Sequence, residues 1–349
     1  MSGEPEVLIR VEGQVGRITL NRPQALHALT THICREMIAA LTAWRADPAV
    51  SLVLLDHSGE RGFCAGGDIR TLAESARGDG LANHEFFYVE YQLDHLMFQY
   101  PKPIVAIMDG VVMGGGVGIA RPCRFRVGTE RTTFAMPETG IGLFPDVGGS
   151  WYLSRMPDHI GMWLALTGAR LKAADCELVG VITDYVECAD LPELKDWLVK
   201  DPAAVETLLT EFEAEPGRPP IAAHQDEIAR CFGQPSVEAI VATLEAGSDW
   251  ARDQAKIIQT KSPLSTKVAY RQLKEGAGAH GFTEVMAMEY RIAHRLAVSG
   301  DFLEGVRAVI VDKDSAPKWD PSGLEGVSEA MVDGIFAPLA SNLEWSPLP

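Results

Sequence analysis

Residues 134–149 read Phe134-Ala-Met-Pro-Glu-Thr-Gly-Ile-Gly-Leu-Phe-Pro-Asp-Val-Gly-Gly149 and place two carboxylates, Glu138 and Asp146, among mostly apolar residues, glycine and proline. An acid buried without a partner destabilises a fold by several kcal/mol. The apolar surroundings therefore indicate that these two acids have a functional role. Carboxylates next to exposed backbone amides are what acyl-transfer and enolate chemistry use.

Two glycine-rich loops precede this stretch, and each lies between a predicted buried strand and a predicted helix. They read Cys64-Ala-Gly-Gly-Asp-Ile69 and Asp109-Gly-Val-Val-Met-Gly-Gly-Gly116. Glycine lets a backbone N–H come close to a ligand, and a helix N-terminus favours negative charge. One such loop is equally compatible with an ordinary tight turn. Two of them on neighbouring parallel strands can direct two N–H groups at one oxygen, which is an oxyanion hole.

Composition narrows the class of protein. The chain has 349 residues, 46% of them hydrophobic, and a formal net charge of −17. That charge argues against a nucleic-acid or anionic-membrane surface. Six scattered cysteines without metal-ligand spacing predict reduced thiols and no metal site. The N-terminus shows no apolar signal core, and no apolar run reaches the roughly 20 residues that span a bilayer. We expect a soluble, cytoplasmic protein.

Strands and helices alternate along the first part of the chain, which predicts an α/β fold with a parallel sheet. Strands are expected at 7–11, 15–20, 51–56 and 103–108, and one helical stretch at 149–168. After about residue 200 the pattern is helical only, and a Pro/Gly-rich stretch at 215–220 marks a plausible join. The predicted division is therefore a catalytic core at 1–200 and a helical region at 201–349.

Several common catalytic signatures are absent from the sequence. There is no G-x-S-x-G elbow, no Walker loop and no H-E-x-x-H motif. Cys64 lies in a glycine loop, but no histidine stands beside it in sequence, so a thiol nucleophile is disfavoured.

Taken together, the motifs resemble the enoyl-CoA hydratase/isomerase (crotonase) superfamily, and in detail its 3-hydroxyisobutyryl-CoA hydrolase branch. The matching segments are Phe63–Asp68, Asp109–Gly116, Met136–Gly149, Ser262–Lys267, Met288–Arg291, Asp301–Arg307 and Asp312–Trp319. The resemblance implies a crotonase-like ββα spiral core. It also implies an acyl-CoA substrate, hydrolysis to CoA and a 3-hydroxy acid in valine catabolism, and no cofactor, because CoA is part of the substrate.

The resemblance also implies roles for individual residues. Gly67 and Gly115 would supply the oxyanion-hole amides. Glu138 would act as nucleophile or as general base, and Asp146 would hold the substrate's 3-hydroxyl and assist proton transfer. Glu90 matches a further pocket position, although a charge on a helix is as readily a solvated surface residue. The residues implied for substrate binding around the CoA adenine are Ala25, Leu26, Ala65, Gly66, Asp68 and Ile69.

One departure from the hydratases bears on the reaction. Hydratases of this superfamily carry a second glutamate where this chain has Gly118, and a glycine where it has Asp146. Water addition across a double bond uses two carboxylates, so the change favours hydrolysis. The alternatives are a hydratase or isomerase on the same fold, or a non-catalytic crotonase-like binding protein. The oligomeric state stays open, because crotonases are often trimers and the C-terminal helices could cover or replace that interface.

Overall fold

The computed structural model describes residues 4–349. They form two compact units, each assembled from three separate segments of the chain. The first unit comprises the residues up to Gly67, Leu93–Phe134 and Leu171–Ala222. The second unit comprises Asp68–Gln92, Ala135–Arg170 and Ala223–Pro349.

Ten strands occur in the described residues and form two sheets. In chain order they are β1 (Val7–Glu12), β2 (Val15–Leu20), β3 (Leu52–His57), β4 (Gly62–Cys64), β5 (Ile104–Met108), β6 (Val111–Met113), β7 (Phe125–Gly128), β8 (Thr133–Ala135), β9 (Leu171–Lys172) and β10 (Asp184–Tyr185). The larger sheet has the order β1-β2-β3-β5-β7-β10 and the smaller the order β4-β6-β8-β9.

The larger sheet is parallel except at one edge. Strand β1 pairs with β2 antiparallel, whereas β2, β3, β5, β7 and β10 pair parallel in that order. All five residues of β5 are buried, and so are the first five of β3. Continuously buried strands of this kind, apolar except for Asp56 in β3, are typical of parallel sheets that are covered on both faces. The predicted α/β class is confirmed.

Sixteen α-helices occur in the described residues. They are α1 (Thr31–Ala46), α2 (Ile69–Ala76), α3 (Leu81–Phe98), α4 (Gly115–Ala120), α5 (Gly149–Leu153), α6 (Ile160–Thr167), α7 (Ala173–Leu178), α8 (Leu191–Lys200), α9 (Val205–Phe212), α10 (Gln225–Phe232), α11 (Val237–Glu245), α12 (Asp249–Gln259), α13 (Pro263–Gly278), α14 (Phe282–Leu296), α15 (Gly300–Val306) and α16 (Glu329–Phe336). Short 3₁₀ turns include Pro23–Ala25 and Glu138–Ile141.

The core of the first unit forms where α8 and α9 cover the larger sheet. Its buried members include Val15, Leu52, Leu54, Val105, Ile107, Val127, Leu191, Leu194, Leu198, Leu208 and Leu209. Helix α9 begins at Val205, after the predicted boundary at residue 200, and the regular elements from residue 223 onward are all helices. The helical C-terminal region is as predicted, and the division into 1–200 and 201–349 stays a prediction.

One helix prediction is wrong. The stretch 149–168 is not a continuous helix, because α5 ends at Leu153 and α6 begins only at Ile160. Between them, Asp158 and His159 have φ angles of 53° and 59°. Left-handed backbone at two successive non-glycine residues breaks the helix. Pro157, which directly precedes them, is the signal for this break in the sequence. Among residues 4–349, no helix has the length and apolarity needed to cross a membrane.

Candidate active site

The predicted site residues fall into two groups, one in each unit. The glycine loops after β4 and after β6 belong to the first unit, and their backbones approach each other closely. Gly66 has a φ of 105°, and a Cβ added to it would lie 3.3 Å from the amide nitrogen of Gly115. A Cβ on Gly116 would collide with the carbonyl oxygen of Cys64. The loops therefore fit together because these positions lack side chains.

The two predicted oxyanion-hole amides lie on these loops. Gly67 forms a parallel bridge with Leu29, whose N–H donates to the Gly66 carbonyl at 2.8 Å. Gly115 is the first residue of α4, so its N–H has no acceptor within the helix. The chain enters α4 through Gly114, at φ 49° and ψ −127°. That the two amides act together on one oxygen stays a prediction.

The residues predicted to surround the adenine lie beside the first glycine loop or directly after it. Leu26 has a φ of 47°, and its carbonyl accepts the N–H of Ala65 at 3.0 Å, so the turn ending at Ala25 is tied to the loop. Asp68 and Ile69 begin the second unit. The Asp68 carboxylate caps α2 by accepting a backbone N–H of its first turn. Capping accounts for Asp68 structurally, and adenine binding by these residues stays a prediction.

The two acids of the 134–149 stretch are both buried in the second unit. Glu138 begins a 3₁₀ turn, and its side chain and backbone together are 6% exposed. Its Oε2 atom accepts no hydrogen bond from the described residues. Burial raises the pKa of Glu138 well above its usual range, and the neighbouring charge of Asp146 raises it further. Glu138 thus combines the burial and the orphan oxygen expected of a reactive carboxyl group.

Asp146 has a defined partner that the sequence analysis did not identify. It is 7% exposed, and its Oδ2 atom accepts a hydrogen bond from the hydroxyl of Tyr91 at 2.8 Å. Burial raises the pKa of Asp146 to about 7, although the Tyr91 bond favours the carboxylate. Because the charge of Asp146 also raises the pKa of Glu138, protonation of the two acids is coupled.

Glu90 is a buried residue of α3, at 2% exposure. The alternative of a solvated helix face is therefore wrong. The charge of Glu90 helps to raise the pKa of the adjacent Tyr91, after burial and the charges of Asp146 and Glu289. Glu90 thus belongs to the same acidic neighbourhood as Asp146, which is consistent with the predicted pocket position, and its contact with substrate stays a prediction.

The turn that follows Asp146 is strained. Val147 has a φ of 52° and Gly148 a φ of 84°. A positive φ at a β-branched residue is an outlier that costs about 1–3 kcal/mol and persists only where the surroundings impose it. A Cβ on Gly148 would also lie 2.8 Å from the ring of Phe282, so this position requires glycine.

Two buried residues of the C-terminal helices hold this turn, and the sequence analysis assigned neither of them a role. Glu289 on α14 accepts the backbone N–H groups of Gly148 and Ser150. Gln272 on α13 donates to the carbonyl of Pro145. A signal for Glu289 did exist, because helical periodicity places it on the face of α14 that buries Val285, Met286, Tyr290, Ile292, Ala293 and Leu296.

The thiol and metal predictions can be compared with the described residues. Cys64 is buried, and its thiol donates to the carbonyl of His27 at 3.2 Å. The six cysteines form no disulfide. Within residues 4–349, no three His, Cys, Asp or Glu side chains are grouped so as to hold a metal ion.

Solved structures share this fold over almost the whole chain. A carnitinyl-CoA dehydratase from Mycobacterium thermoresistibile superposes with a TM-score of 0.93 at 39% identity, covering 98% of each chain. An enoyl-CoA hydratase from Rhodobacter sphaeroides 2.4.1 superposes with a TM-score of 0.91 at 39% identity, covering 98% of this chain and 100% of its own.

Sequence relatives bear a more specific name. The protein "3-hydroxyisobutyryl-CoA hydrolase, mitochondrial" of Danio rerio is 45% identical and covers 96% of this chain and 90% of its own length. The human protein of that name is 41% identical, covering 97% and 90%. A family model described as enoyl-CoA hydratase/isomerase matches residues 15–336. With a match of that extent and relatives above 40% identity, the chain belongs to the enoyl-CoA hydratase/isomerase family.

Proposed function

We propose that the chain hydrolyses the thioester of 3-hydroxyisobutyryl-CoA, or of a closely related 3-hydroxyacyl-CoA, to CoA and the free 3-hydroxy acid. The observation that carries the proposal is the buried pair of Glu138 and Asp146, found in a chain with Gly118 where hydratases have an acid. Relatives named 3-hydroxyisobutyryl-CoA hydrolase support the same reaction. The activity would serve valine catabolism.

In the proposed mechanism, the amides of Gly67 and Gly115 hydrogen-bond to the thioester carbonyl oxygen and stabilise its developing negative charge. Removal of one such donor typically costs about 10²–10³-fold in rate. Glu138 either attacks the carbonyl carbon or removes a proton from the attacking water. The C–S bond breaks, CoA leaves as the thiolate and is protonated, and one water is consumed overall.

Asp146 is proposed to select the substrate. Its Oδ2 atom is occupied by Tyr91, and the other carboxylate oxygen would accept the substrate's 3-hydroxyl. A substrate without that hydroxyl would leave a buried polar atom without its partner, which is the kind of penalty that gives strong discrimination. No metal or additional cofactor is needed for any of these steps.

A hydratase or dehydratase is the second candidate. It is favoured by the names of the two solved structures, which are a carnitinyl-CoA dehydratase and an enoyl-CoA hydratase. The glycine at position 118 opposes it, because the second carboxylate that water addition uses is missing there.

Thiol release across a panel of acyl-CoA thioesters tests the proposal. The purified protein is incubated with 3-hydroxyisobutyryl-CoA, 3-hydroxypropionyl-CoA, isobutyryl-CoA and crotonyl-CoA. Free CoA is detected with a thiol-reactive dye, and hydration by the loss of enoyl-thioester absorbance. We expect rapid thiol release from the two hydroxylated esters and little change in crotonyl-CoA. Hydration of crotonyl-CoA without thiol release would favour the hydratase instead.

The pH dependence should have opposite signs for rate and stability. The carboxylate of Asp146 is the form that would accept the substrate's hydroxyl, and burial raises the pKa of this group to about 7, so the rate at limiting substrate should rise between about pH 6 and pH 8. Over about pH 4 to 7 the folded chain keeps a proton on Asp146 that the unfolded chain releases, so the free energy of unfolding should fall as pH rises. Turnover and thermal unfolding measured across this range check both signs.

Asp146→Asn is the control for the measurement of stability against pH, because asparagine does not titrate. This variant should lose less stability than the wild type between about pH 4 and pH 7. If the rate does not change with pH, or if the free energy of unfolding rises between about pH 4 and pH 7, the raised pKa of Asp146 is contradicted.

The cellular location is a separate proposal. We place the chain in the cytoplasm, whereas the relatives carry the word mitochondrial in their names. Fractionation of the source cells with an antibody against the chain decides between the two.

A further inference from the structure

We propose that Glu289 is a positioning residue that fixes the turn carrying Asp146 and thereby maintains the preference for a 3-hydroxylated acyl group. This inference rests on the proposed hydrolysis and deepens it. It concerns a residue 141 positions away in sequence from the turn that it holds.

Three hydrogen bonds join Glu289 to this turn. Its Oε2 atom accepts the N–H of Gly148 at 2.7 Å, and its Oε1 atom accepts the N–H of Ser150 at 2.8 Å and the Ser150 hydroxyl at 2.6 Å. Glu289 is 0% exposed. Burial raises the pKa of Glu289 to about 8, and the three donors lower it by favouring the carboxylate. The three bonds thus offset part of the free-energy cost of burying this acid.

The turn after Asp146 needs a hydrogen-bond acceptor from elsewhere in the chain, because it has no side-chain cap of its own. Helix α5 begins at Gly149, and its N-cap residue, Gly148, has no side chain to accept the amides of the first turn. The Glu289 carboxylate takes that place, as a capping side chain would. Val147 immediately precedes Gly148, and its positive φ would relax toward ordinary backbone if the amides of Gly148 and Ser150 were released.

Other contacts converge on the same acid. Tyr290, next to Glu289 on α14, packs edge-on against Tyr91 with ring centroids 6.3 Å apart, and Tyr91 donates to Asp146. Gln272 binds the carbonyl of Pro145, immediately before the acid. The backbone before Asp146, the backbone after it and its side-chain partner are therefore each held by a buried residue of the second unit. Loss of one of these contacts would let the Asp146 carboxylate move relative to Tyr91.

The substitution Glu289→Gln separates this role from simple packing. Glutamine has nearly the same shape, but one of its two terminal atoms is an NH₂ group that would face a backbone N–H. One acceptor is thus lost and the turn is released on one side. The matched control is Val285→Ala, which removes buried side-chain volume one turn earlier on the same helix.

Two measurements are made on the full chain. The first is hydrogen–deuterium exchange of the peptide that covers residues 146–152, which does not depend on activity. The second is the ratio of kcat/KM for 3-hydroxyisobutyryl-CoA to that for isobutyryl-CoA. In Glu289→Gln we expect hydrogen–deuterium exchange at Gly148 and Ser150 to be about tenfold faster. We expect the ratio of the two kcat/KM values to be about tenfold lower than in the wild type. In Val285→Ala we expect a lower melting temperature with both quantities within about twofold of the wild type.

The outcomes are distinguishable from a failure of the proposed function. A wild type inactive on every 3-hydroxyacyl-CoA overturns the hydrolase proposal and, with it, the selectivity role. A wild type that discriminates, with a Glu289→Gln variant that discriminates equally well, overturns only the positioning role. Unchanged exchange in Glu289→Gln, or an equal loss of selectivity in Val285→Ala, also overturns it.

Discussion

Replacement of Glu138 by glutamine is expected to lower kcat for 3-hydroxyisobutyryl-CoA by about 10²–10⁴-fold, with a smaller change in KM. Glutamine keeps the shape of the side chain but is neither a nucleophile nor a base. The Oε2 atom of Glu138 has no hydrogen-bond partner among the described residues, so the change breaks no network there. The loss is therefore expected in the chemical step, measured as thiol release at saturating substrate.

Stability provides an independent check on this variant. Burial raises the pKa of Glu138 well above its usual range, so at pH 8 the folded state suffers a cost for the carboxylate that a neutral amide avoids. Glu138→Gln should therefore melt no lower than the wild type at that pH. Glu211→Gln, the same chemical change at an exposed position, should leave turnover unchanged. Near wild-type turnover in Glu138→Gln would refute the catalytic assignment.

Replacement of Asp146 by asparagine is expected to reduce the preference for 3-hydroxyisobutyryl-CoA over isobutyryl-CoA by about 10- to 100-fold. The charged acceptor for the substrate hydroxyl is lost, and hydrogen bonds to charged groups are stronger than those to neutral ones. The ratio of kcat/KM for the two esters measures the effect. It should fall mainly through slower turnover of the hydroxylated ester.

A buried aspartate elsewhere serves as the control for this second change. Asp175 is 3% exposed and accepts the backbone N–H of Ile221 in the first unit. Asp175→Asn should lower the melting temperature and leave the ratio of the two esters as it is in the wild type. If Asp146→Asn also leaves that ratio unchanged, Asp146 does not select the substrate.

Much of the fold and part of the site were predictable because their determinants are local. Continuous apolar runs marked β3 and β5, and the alternation of strands with helices marked the α/β class. The glycine loops and the acids Glu138 and Asp146 were also identified from the sequence, since each depends on residues a few positions apart. A close approach of backbones requires glycine, and an acid among apolar residues is conspicuous without any knowledge of its partners.

Patterns of residues close together along the chain thus indicated the α/β class, the two loops and the identity of the two acids. The folded chain was needed to show that Glu90 is buried, that Tyr91 donates to Asp146 and that Glu289 binds the next turn. The physical reason is that helical periodicity shows which side of a helix is buried but not what lies against it. The partner is set by the path of the whole chain, which brings α14 to a turn 141 residues earlier.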